Sequence, residues 1–157
     1  ATADAVLSGL DGGPAPIEVV LDDPPAGLNA AVRAGEAVAR ATSPSDGVAA
    51  LSADLPCLTA AALSAALAEA TAHERAFVAD RPGEGTTMLC ASAGRALMPQ
   101  FGIGSAAAHA ASGAAALSAS PALRTDVDTE HDLQVALAVG VGPATASLDL
   151  VHLDGGI

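Results

Sequence analysis

Short apolar runs bounded by turn residues alternate along this chain with alanine-rich stretches of helical length. That alternation limits the fold more than any other feature of the sequence. IEVVL (Ile17–Leu21), VAALS (Val48–Ser52), AFVAD (Ala76–Asp80) and TMLCA (Thr87–Ala91) are each flanked by Gly, Pro, Asp or Ser. Runs of this kind predict buried strands, and a further strand is predicted near LRTDV (Leu123–Val127). Helical spacing is predicted over Ala1–Leu10, over Asn29–Arg40, from Thr59 as N-cap to near Ala72, over AAAHAAS after Ser105, and over Glu130–Val139. Strands alternating with helices of about ten to fifteen residues predict an α/β fold with a mostly parallel sheet. Ligands of such sheets sit outside the carboxyl ends of the strands.

The chain has 157 residues, enough for one domain with a substantial core. Hydrophobic residues make up 51% but aromatics only 1%, so Ala, Val and Leu must fill the interior. The Ala, Gly, Pro and Asp bias, with no lysine, points to a GC-rich bacterial genome. A formal net charge of −12 argues against nucleic acid or an anionic membrane as partner. It leaves room for a phosphorylated small molecule if divalent metal bridges the charges. Cys57 and Cys90 lack the spacing of a zinc site or a disulfide framework and read as two buried thiols of a cytoplasmic protein. No apolar run is long enough to span a bilayer, and no signal peptide is recognisable. The chain opens on Ala rather than Met within a helix-patterned stretch, which reads as part of a longer protein.

Two acidic motifs fall at predicted strand ends. VAALSADLP ends on Asp54, and LRTDVD ends on Asp126 and Asp128. Residues two apart in extended chain project to one face, so Asp126 and Asp128 point together while Leu123, Thr125 and Val127 face the sheet. Neighbouring carboxylates raise each other's pKa unless a cation sits between them, and hard oxygen donors suit Mg²⁺ or Mn²⁺. The competing reading makes Asp128 the N-cap of the next helix. Thr129 with Asp132 offers that helix a capping box of its own. Asp54 taken singly is more often a turn residue than a ligand.

RPGEGTT (Arg81–Thr87) and FGIGS (Phe101–Ser105) combine glycines with hydroxyls, which lets backbone N–H groups approach an anion. The alternatives are a hairpin turn for the first and an ordinary helix cap for the second. Asn29 is either an N-cap or a nucleotide contact. The histidines at 73, 109, 131 and 152 share no metal-ligand spacing, and neither a nucleophile–base arrangement nor a Walker A loop is present.

GLNAAV, LSADLPCL, FVADRPGEGTTML, FGIGSAAAHAASGA and LRTDVDTEHDL, in this order and spacing, resemble the guanylyltransferases of coenzyme F420 biosynthesis. That family comprises the 2-phospho-L-lactate and the actinobacterial phosphoenolpyruvate guanylyltransferases, and the resemblance runs from about Ile17 to Val141. It implies a single nucleotidyltransferase domain over residues 1–157, a Rossmann-like α/β/α sandwich of the molybdenum-cofactor guanylyltransferase type. The family's N-terminal strand and its GTP-phosphate loop have no counterpart in this sequence. The implied reaction joins GMP from GTP to phosphoenolpyruvate or 2-phospho-L-lactate with release of pyrophosphate, with Mg²⁺ as cofactor. By motif, Asp54, Asp126 and Asp128 match the Mg²⁺-binding catalytic aspartates. Thr86 and Gly102 match positions whose backbone contacts the acceptor carboxylate, and Ser105 matches a phosphate contact. Gly27 and Asn29 lie in the segment for the guanine nucleotide. Glu84 stands where that family more usually has Thr, and AAAHAASGA where it commonly carries arginines. Two other readings compete: a different metal-dependent nucleotidyl- or glycosyltransferase, and a non-catalytic acidic α/β domain whose aspartates are only caps.

Overall fold

A computed structural model describes residues 19–20 and 26–147. The helix expected over residues 1–10 lies outside these, as do residues 17, 18 and 21 of the first expected strand. Val19 and Val20 are exposed and form no strand.

Helix α1 (Leu28–Thr42) starts at Gly27, whose φ of 86° lies in the left-handed region that glycine tolerates. Strand β1 (Val48–Leu51) follows, then helix α2 (Ala60–Ala70). As expected, Thr59 caps α2 by accepting the Ala62 N–H. Strands β2 (Arg75–Ala79) and β3 (Thr86–Ala91) come next, then helix α3 (Ser105–Ala111) and the two-residue β4 (Ala115–Ala116). The chain continues through helices α4 (Pro121–Arg124), α5 (Glu130–Val139) and α6 (Pro143–Ala146). Among the described residues no helix is long and apolar enough to cross a membrane.

The four strands form one sheet in the order β1-β3-β2-β4. The α/β architecture is as expected, but the described sheet is mixed rather than mostly parallel. β3 runs antiparallel to both β1 and β2, and only β2 with β4 is parallel. The cause is local. The five residues Arg81–Gly85 close a hairpin instead of crossing over through a helix, so β3 must return antiparallel to β2. The strand expected at LRTDV is also absent. Pro121 follows Ser120 at the first helical position, and the Thr125 N–H and hydroxyl close the turn on the Pro121 carbonyl.

Both faces are buried at β2 and β3, as their near-continuous apolar runs require, whereas β1 alternates half-buried and exposed residues. On one face Ala76, Val78, Met88 and Cys90 pack with Leu55, Ala66 of α2 and Leu123 of α4. On the other Phe77, Leu89 and Ala91 pack with Leu97, Ala106 of α3 and the half-buried Val32 of α1. Cys57 and Cys90 are buried free thiols, as expected.

One irregularity positions the site. Val78 pairs with Met88, yet the next residue, Ala79, pairs with Thr86. Thr87 is therefore the extra residue of a β-bulge, fully buried, with its hydroxyl donating to the Leu123 carbonyl at 2.7 Å. Strict alternation would place Thr86 on the face of Met88 and Cys90. The bulge turns it to the opposite face, where α3 lies.

Candidate active site

The hairpin loop Arg81–Gly85 separates two groups of functional side chains. Its geometry is set by Asp80 at the end of β2, a buried residue. One Asp80 carboxylate oxygen accepts the Gly83 and Glu84 N–H groups at 2.6 and 2.8 Å, and the other accepts the Gly85 N–H at 2.7 Å. Gly85 permits this approach, because a Cβ there would lie 2.5 Å from Asp80 Oδ2. Arg124 ties the same strand end to α4 by donating to the Ala79 and Asp80 carbonyls at 3.1 and 2.8 Å.

On one side of the loop, Asp80, Arg81, Pro82, Thr125, Asp126 and Asp128 line a cleft of about 140 Å³. Asp126 and Asp128 thus share a site, although the segment carrying them is not a strand. The Val127 N–H donates to the Asp54 carbonyl at 3.1 Å, which joins the two acidic segments through their backbones. The exposed side chain of Asp54 does not line the cleft. Burial, then the charges of Asp80, Asp54 and Asp128, push the Asp126 carboxyl above the usual aspartate range, against a backbone hydrogen bond that lowers it.

Asp128 is not the cap of α5. Thr129 is, with a complete capping box in which its side chain accepts the Asp132 N–H and Asp132 accepts the Thr129 N–H. The hydrogen bond from Thr129 holds the Asp132 carboxyl below its ordinary range.

Among the described residues no three His, Cys, Asp or Glu side chains converge on one point. The paired carboxylates nevertheless fit a hard divalent cation, since Mg²⁺ is commonly held by one or two carboxylates, with water and phosphate oxygens completing its shell. The uncompensated repulsion at Asp126 is what such a cation would relieve.

Across the loop lies a buried polar cluster. The Thr86 Oγ1 stands 2.9 Å from His109 Nδ1 and 3.2 Å from the Ser105 hydroxyl. His109 Nε2 accepts the Gln100 N–H at 2.9 Å. Thr86, Ser105 and His109 are all buried. The only two phenylalanines of the chain flank the imidazole, with ring centroids 6.0 Å away for Phe77 and 5.3 Å for Phe101. Burial, and then the nearby Arg75 charge, lower the His109 pKa, so the ring is neutral at neutral pH. The Ala106 N–H donates to the Glu84 carbonyl at 3.0 Å, which holds α3 against the loop.

Ser105 is not the cap of α3; that position is Gly104, with φ 71°. Gly102, with φ 132°, is exposed beside it. Asn29 caps nothing either. Its side-chain amide donates to the Phe101 carbonyl at 3.0 Å and accepts the Phe101 N–H at 2.7 Å, tying α1 to the Gly102–Gly104 turn.

The structure thus places Asp126 beside Asp128 and Thr86 beside Ser105, and adds Asp80 and His109, which the sequence did not single out. Both carried a local signal. An aspartate directly before a glycine-rich turn is an Asx pattern, and His109 lies four residues after Ser105, on the same face of α3.

No family model matches the chain. Curated relatives do. A Streptomyces coelicolor protein named phosphoenolpyruvate guanylyltransferase is 52% identical over 132 residues, covering 83% of this chain and 62% of its own. The protein of that name from Thermomonospora curvata is 51% identical over 132 residues, covering 83% of this chain and 58% of its own. That from Geodermatophilus obscurus is 55% identical over 130 residues, covering 82% and 58%. The chain thus spans about three-fifths of the length of these relatives. Identity at this level across most of the chain makes it a relative of the proteins named phosphoenolpyruvate guanylyltransferase.

Proposed function

We propose that the complete protein is a Mg²⁺-dependent guanylyltransferase of coenzyme F420 biosynthesis, acting on GTP and phosphoenolpyruvate in the cytoplasm. 2-Phospho-L-lactate is the alternative acceptor. The observation that carries the reading is the Arg81–Gly85 loop, with a carboxylate cleft on one side and a buried cluster of neutral donors on the other. Metal-held phosphates and an anionic acceptor need those two environments side by side. In this reading the described strands belong to a nucleotidyltransferase-type α/β/α sandwich, and the helices on both faces of the sheet support it.

The acceptor's phosphate oxygen attacks the α-phosphorus of GTP. A new P–O bond forms, the α–β bridging P–O bond breaks, and the electron pair leaves with pyrophosphate. The nucleophile is already anionic, so no strong general base is required, and positioning with charge neutralisation does the work. Asp126 and Asp128 would hold Mg²⁺, which would supply positive charge against the phosphates; Asp54, expected as a third ligand, would act there through its carbonyl, which accepts the Val127 N–H and aligns the pair. Thr86, Gly102 and Ser105 bind the acceptor. Gly27 lies on the nucleotide side, and Asn29 acts there by fixing the Gly102–Gly104 turn through Phe101.

The test is pyrophosphate release by the full-length protein from GTP and phosphoenolpyruvate at saturating Mg²⁺. Asp126→Asn is expected to slow it at least about a hundredfold. Unchanged turnover in that variant would remove the metal assignment, and a preference for UTP or CTP over GTP would replace the guanylyl reading.

A further inference from the structure

The buried cluster around Thr86 contains more order than acceptor binding by two hydroxyls requires. A backbone N–H only donates, so the Gln100 N–H bond fixes Nε2 of His109 as an acceptor. A neutral imidazole then carries its proton on Nδ1, and that N–H must donate to Thr86 Oγ1. The Thr86 hydroxyl is thereby barred from donating to the histidine. Of the two hydroxyl protons on Thr86 and Ser105, one is used in the bond between them at 3.2 Å. The other has no acceptor in the cluster and is left for a ligand. Thr86 is only 7% exposed and Ser105 2%, so an unmet donor here favours an anionic oxygen over water.

The geometry points to His109 as a positioning residue: locked as the Nδ1–H tautomer by the Gln100 amide, it makes the Thr86–Ser105 pair a net donor toward an anionic oxygen of the acceptor substrate. Two further features keep the ring in place. Phe77 and Phe101 pack against it, and the β-bulge at Thr87 turns Thr86 toward it. Reversing the tautomer would present an N–H to the Gln100 N–H and turn the hydroxyl pair inward. This inference rests on the proposed acceptor site but concerns binding, not transfer.

Calorimetric titration of the full-length protein with phosphoenolpyruvate tests it. His109→Gln places an acceptor near the Nε2 position and removes the donor to Thr86. Its affinity is expected to fall about tenfold. His109→Asn restores an N–H near the Nδ1 position and is expected to recover most of that loss. Thr86→Val weakens binding to a similar degree, and Thr86→Val/His109→Gln binds no more weakly than Thr86→Val alone, since the histidine acts through the threonine. Wild-type affinity in His109→Gln, or losses that multiply in the double variant, would overturn the inference, as would a wild-type protein that does not bind phosphoenolpyruvate. Nitrogen NMR of the wild-type protein reads the tautomer without any substitution, and an Nε2–H form of His109 would also overturn it. A wild-type protein that binds phosphoenolpyruvate normally yet releases no pyrophosphate would sink the transfer reading alone.

Discussion

Asp80→Asn isolates what holds the loop between the two halves of the site. The carboxylate accepts three backbone N–H groups, two on Oδ1 and one on Oδ2. An asparagine offers one oxygen. Its better orientation keeps the oxygen on Gly83 and Glu84 and sets an NH₂ group against the Gly85 N–H, donor facing donor. That removes one charge-assisted bond, about 1.5–3 kcal/mol, and weakens the other two to neutral bonds. Relief of the repulsion between Asp80 and Asp126 offsets part of this. A net loss of about 2 kcal/mol lowers Tm by roughly 4–8 °C for a chain of this size. The Asp126 carboxyl should move down as well, because Asp80 is the first of the three carboxylates that raise it. Thermal unfolding followed by circular dichroism measures the first effect, and carboxyl-carbon NMR titration of Asp126 measures the second. A Tm within about 1 °C of wild type would refute the role given to the three hydrogen bonds, and an unmoved Asp126 would refute the coupling of the loop to the acidic cleft.

Two further outcomes follow from the same charges and burial. In the absence of divalent metal, Asp126→Asn is expected to raise Tm at neutral pH, because it removes a charge that burial, and then the neighbouring carboxylates, disfavour. The sign follows from the raised Asp126 pKa: its contribution to stability is full below the ordinary aspartate value near about 3.9 and is lost as pH rises through the higher folded value. The gap between variant and wild type should therefore open as pH increases from about 4 toward 7, and a variant less stable than wild type at neutral pH would contradict it. Burial pushes the Cys90 thiol up to about 11 and raises Cys57 too. Both should resist iodoacetamide in the native protein near pH 8 and react on denaturation; rapid labelling of either in the native protein would mean that the core around Met88 or Ala136 opens readily.

What the sequence made legible was local. The Thr59 cap and the Thr129–Asp132 capping box are written within four residues each, and the helices they start were placed correctly at that end. The positions of β1, β2 and β3 followed from apolar runs, and that of β4 did not. Strand direction did not, because period-two patterning carries no polarity. The hairpin between β2 and β3 depends on Asp80 gathering the Arg81–Gly85 backbone, a contact that composition does not reveal. At LRTDV the apolar alternation resembles a strand, but Ser120-Pro121 starts a helical turn instead. Asp126 and Asp128 still share a cleft because the Val127 N–H meets the Asp54 carbonyl, a tertiary bond that replaces the expected strand in aligning them.

Thr86 marks the limit of reading a site from alternation. Counting back by twos from Cys90 and Met88 puts its hydroxyl under α2 and α4, among Leu55, Ala66 and Leu123 and far from any glycine-rich turn. One extra residue in the strand reverses that assignment, since a single-residue slip exchanges faces. The bulge is stabilised from the opposite side, by the Thr87 hydroxyl donating to the Leu123 carbonyl just before the Asp126 segment. The same irregularity thus faces the acidic segment through Thr87 and the donor cluster through Thr86. Removing the Thr87 hydroxyl would disturb both halves of the site at once, whereas an ordinary core substitution at Leu89, on the face of Thr86 but away from the bulge, would be felt mainly through packing. The link between the acidic cleft and the buried donor cluster is therefore built into strand register rather than into any motif, which is why the five family-like segments leave the device that joins them out of view.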